Sequence, residues 1–174
     1  GTYIGSGFYD SYKIGFYNLS GYLYAVLEGQ DSTEAWLLTD TYSSTIGIID
    51  MSDNVTIIYM SEGKVKIAEI YANGTNAEIN GAWAIQSNGG GTLSEINYST
   101  DSNEILHLAY LDSMGTDDDY DNPDLMYFNT ENAIKTLICR GYRDYSSSGS
   151  WGATYVHEQP HDIAIDNKNN PVIA

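Results

Sequence analysis

TIGIIDMSDNVTIIYMSEGKVKIAE, residues Thr45 to Glu69, decides how the rest of the chain is read. Ile46 and Ile48, then Val55, Ile57 and Tyr59, then Val65 and Ile67 alternate with other residues, which is the period of half-buried strands. Asp50 and Gly63 mark the turns between three short strands. The same layout recurs on both sides. Upstream, YKIGFYNLSGYLYAV superposes without a gap, placing Tyr17 on Tyr59, Gly21 on Gly63 and Leu23 on Val65. Downstream, LSEINYSTDSNEILHLAYL sets Asp101 nine residues before Tyr110, as Asp50 stands before Tyr59, and Pro123, Leu125 and Tyr127 echo Gly63, Val65 and Ile67. The last residues, HDIAIDNKNNPVIA, place Asp166 on Asp50 and Ala174 on Ile58. A fixed self-similarity of this kind governs fold class before any local reading does.

Outward from the central stretch, AWLLT at Ala35 to Thr39, the segment Trp83 to Gln86, and Leu137 to Cys139 occupy one further position, an outer fourth strand. The repeated units are therefore expected at 1–40, 41–87 and 88–140, with a partial unit at 161–174 and a long connection at 141–160. Gly1 to Asp10 reads as the tail of an incomplete first unit. The aligned tyrosines fall 42 and then 51 residues apart, from Tyr17 to Tyr59 to Tyr110. Four short antiparallel strands at that spacing predict an all-β chain made of blades of an incomplete β-propeller, with a β-sandwich or jelly roll as the alternative. With three units and a half, the ring is expected to close only with further chain, either in a longer polypeptide or in an assembly.

The residues from Thr45 to Ala68 and from Leu93 to Phe128 resemble blades of secreted bacterial and archaeal propellers of the broad sialidase-like, BNR-type kind. The resemblance covers most of the chain and implies fold alone. It does not extend to sialidase chemistry: the S-x-D-x-G-x-T-W box is absent, and only Arg140 and Arg143 stand where three arginines would be needed.

Composition narrows the partners. The chain has 174 residues, 42% of them hydrophobic, and a net charge of -17, so it can fold but repels nucleic acid and anionic lipid. No apolar run is long enough for a membrane span. One cysteine, Cys139, excludes an internal disulfide and a cysteine-based zinc cluster. Sixteen tyrosines suit strands whose outer faces or loops meet water or a ligand. Asn18, Asn54, Asn73 and Asn97 head N-x-S/T sequons, of which Asn18 and Asn73 stand at turns able to carry a glycan. An extracellular or cell-surface location follows as the expectation.

Function is expected in the two swollen connections. DSMGTDDDYDNP, Asp112 to Pro123, carries Asp117, Asp119 and Asp121 at alternate positions, a spacing that lets carboxylates converge on Ca2+. The 141–160 connection offers Tyr142, Arg143, Tyr145, Trp151 and Tyr155 for stacking on sugar rings, with His157 and His161 at its far end. His157-Glu158-Gln159-Pro160-His161 satisfies H-E-x-x-H, yet Pro160 inside it excludes the helical turn that zinc binding needs. His107 aligns with Thr56 on a strand and reads as a packed side chain. The leading expectation is an extracellular binding or structural module, glycan-binding and calcium-stabilised, whose partners are carbohydrate or other chains of the same assembly. The alternatives are a fragment of a polysaccharide lyase or hydrolase using His157, His161, Tyr142, Tyr145 or Arg143, and a filament or surface-layer subunit.

Overall fold

A computed structural model describes residues 1–29, 35–73, 76–87, 90–113, 123–139, 143–144, 154–155 and 162–174. Secondary structure among them is strand and turn, without an α-helix, and no helix is long and apolar enough to cross a membrane. Three four-stranded antiparallel sheets follow one another along the chain, each with its strands hydrogen-bonded in sequence order. The first holds β1 (Thr2–Tyr9), β2 (Tyr12–Leu19), β3 (Tyr22–Glu28) and β4 (Ala35–Thr39). The second holds β5 (Tyr42–Asp50), β6 (Val55–Ser61), β7 (Lys64–Asn73) and β8 (Asn76–Ile85). The third holds β9 (Leu93–Thr100), β10 (Leu106–Asp112), β11 (Asp124–Asn129) and β12 (Thr136–Cys139). Among the described residues there are also two short ladders, β13 (Arg143–Asp144) with β14 (Thr154–Tyr155) and β15 (Ile163–Ile165) with β16 (Pro171–Ile173). The chain divides into two compact units, residues 1–85 and 86–174.

Local chemistry explains the meanders. Leu19 pairs with Tyr22 and Ser61 with Lys64, leaving two-residue turns at Ser20-Gly21 and Glu62-Gly63. Both residues of each turn have positive φ (53° and 89°, then 54° and 71°), the type I′ geometry whose twist matches that of the flanking strands. Glycine takes the second position of each at no steric cost.

In the first unit the core lies between the first two sheets. Ile14 and Phe16 of β2 and Leu23, Ala25 and Leu27 of β3 meet Val55, Ile57 and Tyr59 of β6 and Ala68 and Ile70 of β7. Both sets alternate along their strands, so each sheet presents one apolar face to the other. First strand lies on first strand, β1 against β5, and β4 lies against β8. The link between the sheets, Asp40-Thr41, is pinned by hydroxyls: Ser61 Oγ lies 3.0 Å from Thr39 Oγ1 and 2.7 Å from Thr41 Oγ1, while the Tyr42 N–H donates to Gly21 O at 2.8 Å.

The reading of residues 1–10 as the tail of an incomplete unit is overturned. Residues Thr2 to Tyr9 pair with β2 along their length, with one bulge between Tyr3 and Gly5, and make the first sheet complete. Its glycines hid the strand because they read as loop residues. They sit where β1 approaches the second sheet most closely: a Cβ at Gly5 would lie 2.7 Å from Ile48 Cδ1, and one at Gly7 would collide with Val55 and Asp50.

In the second unit all seven residues of β10 are buried. The β15–β16 hairpin packs through β15 against β9 and β10, again first strand on first strand. Asp112 pairs with Asp124 and Leu125 with Cys139, so the connections after β10 and after β12 both leave from the same end of the third sheet.

Candidate functional site

The aspartates of the first turns separate into two roles. Asp101 Oδ1 accepts the N–H groups of Asn103 and Ile105, both at 2.9 Å, and its backbone pairs with Glu104 and Ile105. Asp166 repeats this with Lys168 and Asn170, both at 2.8 Å, and Asn170 Nδ2 adds a further bond. The fourth residue of each turn, Glu104 and Asn169, has φ of 63°. Those bonds, from the Asn170 side chain first and then the Asn170 and Lys168 backbone, hold the Asp166 carboxyl below its ordinary range. The two turns touch through Ser102 Oγ, which donates to Asn169 Oδ1 at 2.9 Å. Asp50 differs. It is the last residue of β5, paired with Val55, and its carboxylate accepts the Phe8 N–H at 2.9 Å. In the third sheet the residue in that place is Thr100, paired with Leu106. The equal count from Asp50 to Tyr59 and from Asp101 to Tyr110 therefore hides a turn one residue shorter in the second sheet.

Behind the Asp101 turn stands a buried polar chain. His107 is 4% exposed, with Nδ1 2.5 Å from the Tyr127 hydroxyl and Nε2 3.6 Å from Asp101 Oδ2. Asn129 Oδ1 accepts the Asn132 N–H, which orients its Nδ2 to donate to the Tyr127 oxygen at 3.1 Å. The Tyr127 hydroxyl and Nδ1 share one hydrogen bond, and Nε2 faces the Asp101 carboxylate beyond hydrogen-bond reach. The carboxylate, imidazole and phenol thus tie the turn of one hairpin to the third strand of the sheet, a packed role for His107.

At the opposite end of that sheet, where the two long connections leave, lie Asp112 and Asp124, both buried and directly paired. Ser87 Oγ donates to Asp112 Oδ1. Tyr110 is fully buried, and its hydroxyl has no hydrogen-bond partner among the described residues. Burial first, and the Asp112 charge second, push this phenol far above its ordinary range. The aligned Tyr59 is pushed up to about 12 by burial alone, with its hydroxyl 3.5 Å from Leu38 O.

Of the residues the sequence singles out, Asp117, Asp119, Asp121, Tyr142, Tyr145, Trp151, His157 and His161 lie outside the described residues. Arg143 and Tyr155 are backbone partners in the β13–β14 ladder. Asn18 is half-buried in β2, and its Oδ1 accepts the Gly21 N–H at 3.0 Å. Asn73 ends β7, paired with Asn76. No group of three or more His, Cys, Asp or Glu among the described residues is arranged to hold a metal ion.

A surface that the sequence reading passes over is the outer face of the first sheet. Strand alternation turns Tyr3, Phe8, Tyr17, Tyr22 and Tyr24 away from the core, with Tyr3 49%, Phe8 53% and Tyr22 43% exposed. The rings of Tyr3 and Tyr17 lie 5.4 Å apart, and those of Tyr22 and Tyr24 lie 6.4 Å apart in planes 20° from parallel. At the centre Glu28 takes a 2.7 Å bond from the Tyr17 hydroxyl and a 2.6 Å ion pair from Lys13. The Lys13 bond first, then that of Tyr17, lowers the Glu28 carboxyl below its usual 4.5. The signal was available as Tyr22 and Tyr24 at alternate positions of β3, on the face opposite Leu23, Ala25 and Leu27.

No protein-family model, curated protein or solved structure matches this chain.

Proposed function

We propose that the chain is an extracellular binding module of β-propeller construction, of the sialidase-like kind, whose recognition face carries the connections 112–123 and 141–160. The observation that supports this reading is the departure of both long connections from one end of the third sheet, beside Asp112, Asp124 and Cys139. Loops placed together on a rigid sheet are where binding concentrates. The sequential meanders and the packing of first strands on first strands support blades over a Greek-key sandwich, whose strands would switch between sheets. In this proposal Asp117, Asp119 and Asp121 hold Ca2+, and Tyr142, Arg143, Tyr145, Trp151 and Tyr155 receive carbohydrate, with His157 and His161 beside them.

Calcium and carbohydrate are tested separately. Adding millimolar Ca2+ is expected to raise Tm, since an ion bound only by the folded chain stabilises it by mass action, and Asp117→Asn with Asp119→Asn abolishes the rise. A Tm indifferent to Ca2+ removes the ion from the account. A glycan array is expected to show a ligand whose binding Trp151→Ala with Tyr142→Ala weakens. An array with no ligand contradicts the carbohydrate reading.

A further inference from the structure

Strands β2 and β3 are related to β6 and β7 by a constant offset of 42 residues, from Tyr17 to Tyr59, which allows their equivalent faces to be compared position by position. The second sheet uses Val55, Ile57 and Ile70 on the face that buries against the first sheet. The same positions on the first sheet, on its outer face, are Lys13, Gly15 and Glu28. Three apolar groups that bind a neighbouring sheet are thus replaced by a cation, a glycine and a carboxylate, while Tyr17 remains in the place of Tyr59. A sheet docking here would desolvate the Lys13–Glu28 pair with little to compensate it. The replacements instead suit a partner that carries hydroxyl groups.

We propose that the outer face of the first sheet is a binding platform for a neutral polysaccharide. Glycine at position 15 is part of how it is built, because any Cβ there would collide with the Glu28 carboxylate, which lies over the bare backbone. Tyr17 and Lys13 hold that carboxylate in place from two sides, so it accepts hydroxyl protons without having to be ordered on binding. Around it, Tyr3, Tyr17, Tyr22 and Tyr24 offer aromatic faces with polar tips, suited to the C–H faces and hydroxyl rims of sugar rings. From β1 to β3 the platform spans about 10 Å at the usual strand spacing, room for adjoining rings of one chain rather than a single sugar. The net charge of -17 repels polyanionic glycans, which makes the ligand neutral.

The test is affinity electrophoresis of the whole chain through gels holding soluble glucans, xylans, mannans or galactans, followed by calorimetry with the matching hexasaccharide. At least one polysaccharide is expected to retard the protein. Tyr22→Ala with Tyr24→Ala should weaken binding at least tenfold with the circular dichroism spectrum unchanged, and Glu28→Gln should weaken it severalfold. Should a variant misfold, tyrosine ring resonances of the wild-type protein replace it: Tyr3, Tyr22 and Tyr24 must shift on titration. Binding lost in these variants but kept in Trp151→Ala assigns the platform independently of the connections in the second unit. No retardation by any of the four polysaccharide classes overturns the proposal. So does binding that survives both tyrosine changes, or a concentration-dependent dimer that they disperse, which would make this face a protein interface.

Discussion

Single side chains close the turns of this chain, and their bonds predict unequal penalties for what look like equivalent aspartates. Asp101 accepts two turn N–H groups and faces His107 in a buried setting. Asp101→Ala should destabilise the protein by roughly 1–3 kcal/mol in urea unfolding, the range for leaving buried polar groups unpaired. Asp50 accepts a single exposed N–H. Asp50→Ala should cost only about 0.5–1 kcal/mol. Equal losses at the two sites would contradict the one-residue difference between the turns. Glu28 carries a pH prediction. Its folded carboxyl lies below 4.5, so its bonds add stability above the unfolded value and lose it as pH falls through the folded one. Lys13 is held above 10.5, chiefly by its bond to Glu28, so its share is present below that value and fades as pH rises past the folded one. Carbon-detected titration of Glu28 should give a midpoint under 4.5 that moves upward in Lys13→Met. An unmoved midpoint would dissolve the ion pair.

At the scale of elements, the central strands were legible because β6 and β10 are near-continuous apolar runs between marked turns, and burial at the middle of a sheet demands that pattern. β1 was not legible. Its core-facing positions are Gly5 and Gly7, chosen for close approach to Ile48 and Val55, so the apolar alternation that announces a strand is missing. Gly7→Ala should therefore destabilise by about 1–3 kcal/mol through overpacking, read as a lowered urea midpoint, and an unchanged midpoint would contradict the close approach. The type I′ turn at Glu62-Gly63 carries the opposite opportunity. Asparagine tolerates positive φ better than glutamate, so Glu62→Asn should stabilise by about 0.5 kcal/mol, measured as a raised urea midpoint at constant m. An unchanged or lowered midpoint would argue against the I′ geometry.

For the whole molecule, the repeat read from Thr45 to Glu69 fixes what kind of object the chain is, three sequential meanders and a hairpin of the same family. It was visible because turn glycines, the second-strand tyrosine and the fourth-strand segment recur together. The polar chain from Asp101 through His107 to Tyr127 was not visible, since its members come from a turn and two strands and meet only through the register His107 with Asn129. The aromatic platform escaped for a related reason, as its residues are spread over β1, β2 and β3. Central to the account is that hydrogen-bonded pairing stays inside each meander, as blades require and a Greek-key sandwich forbids. The most direct measurement is the map of cross-strand Hα and amide contacts in isotopically labelled protein by nuclear magnetic resonance. Ladders are expected only between consecutive strands within the sheets, among them Tyr17 with Tyr24, Ile58 with Ile67 and Leu108 with Phe128. A ladder joining a strand of one sheet to a strand of another would contradict it.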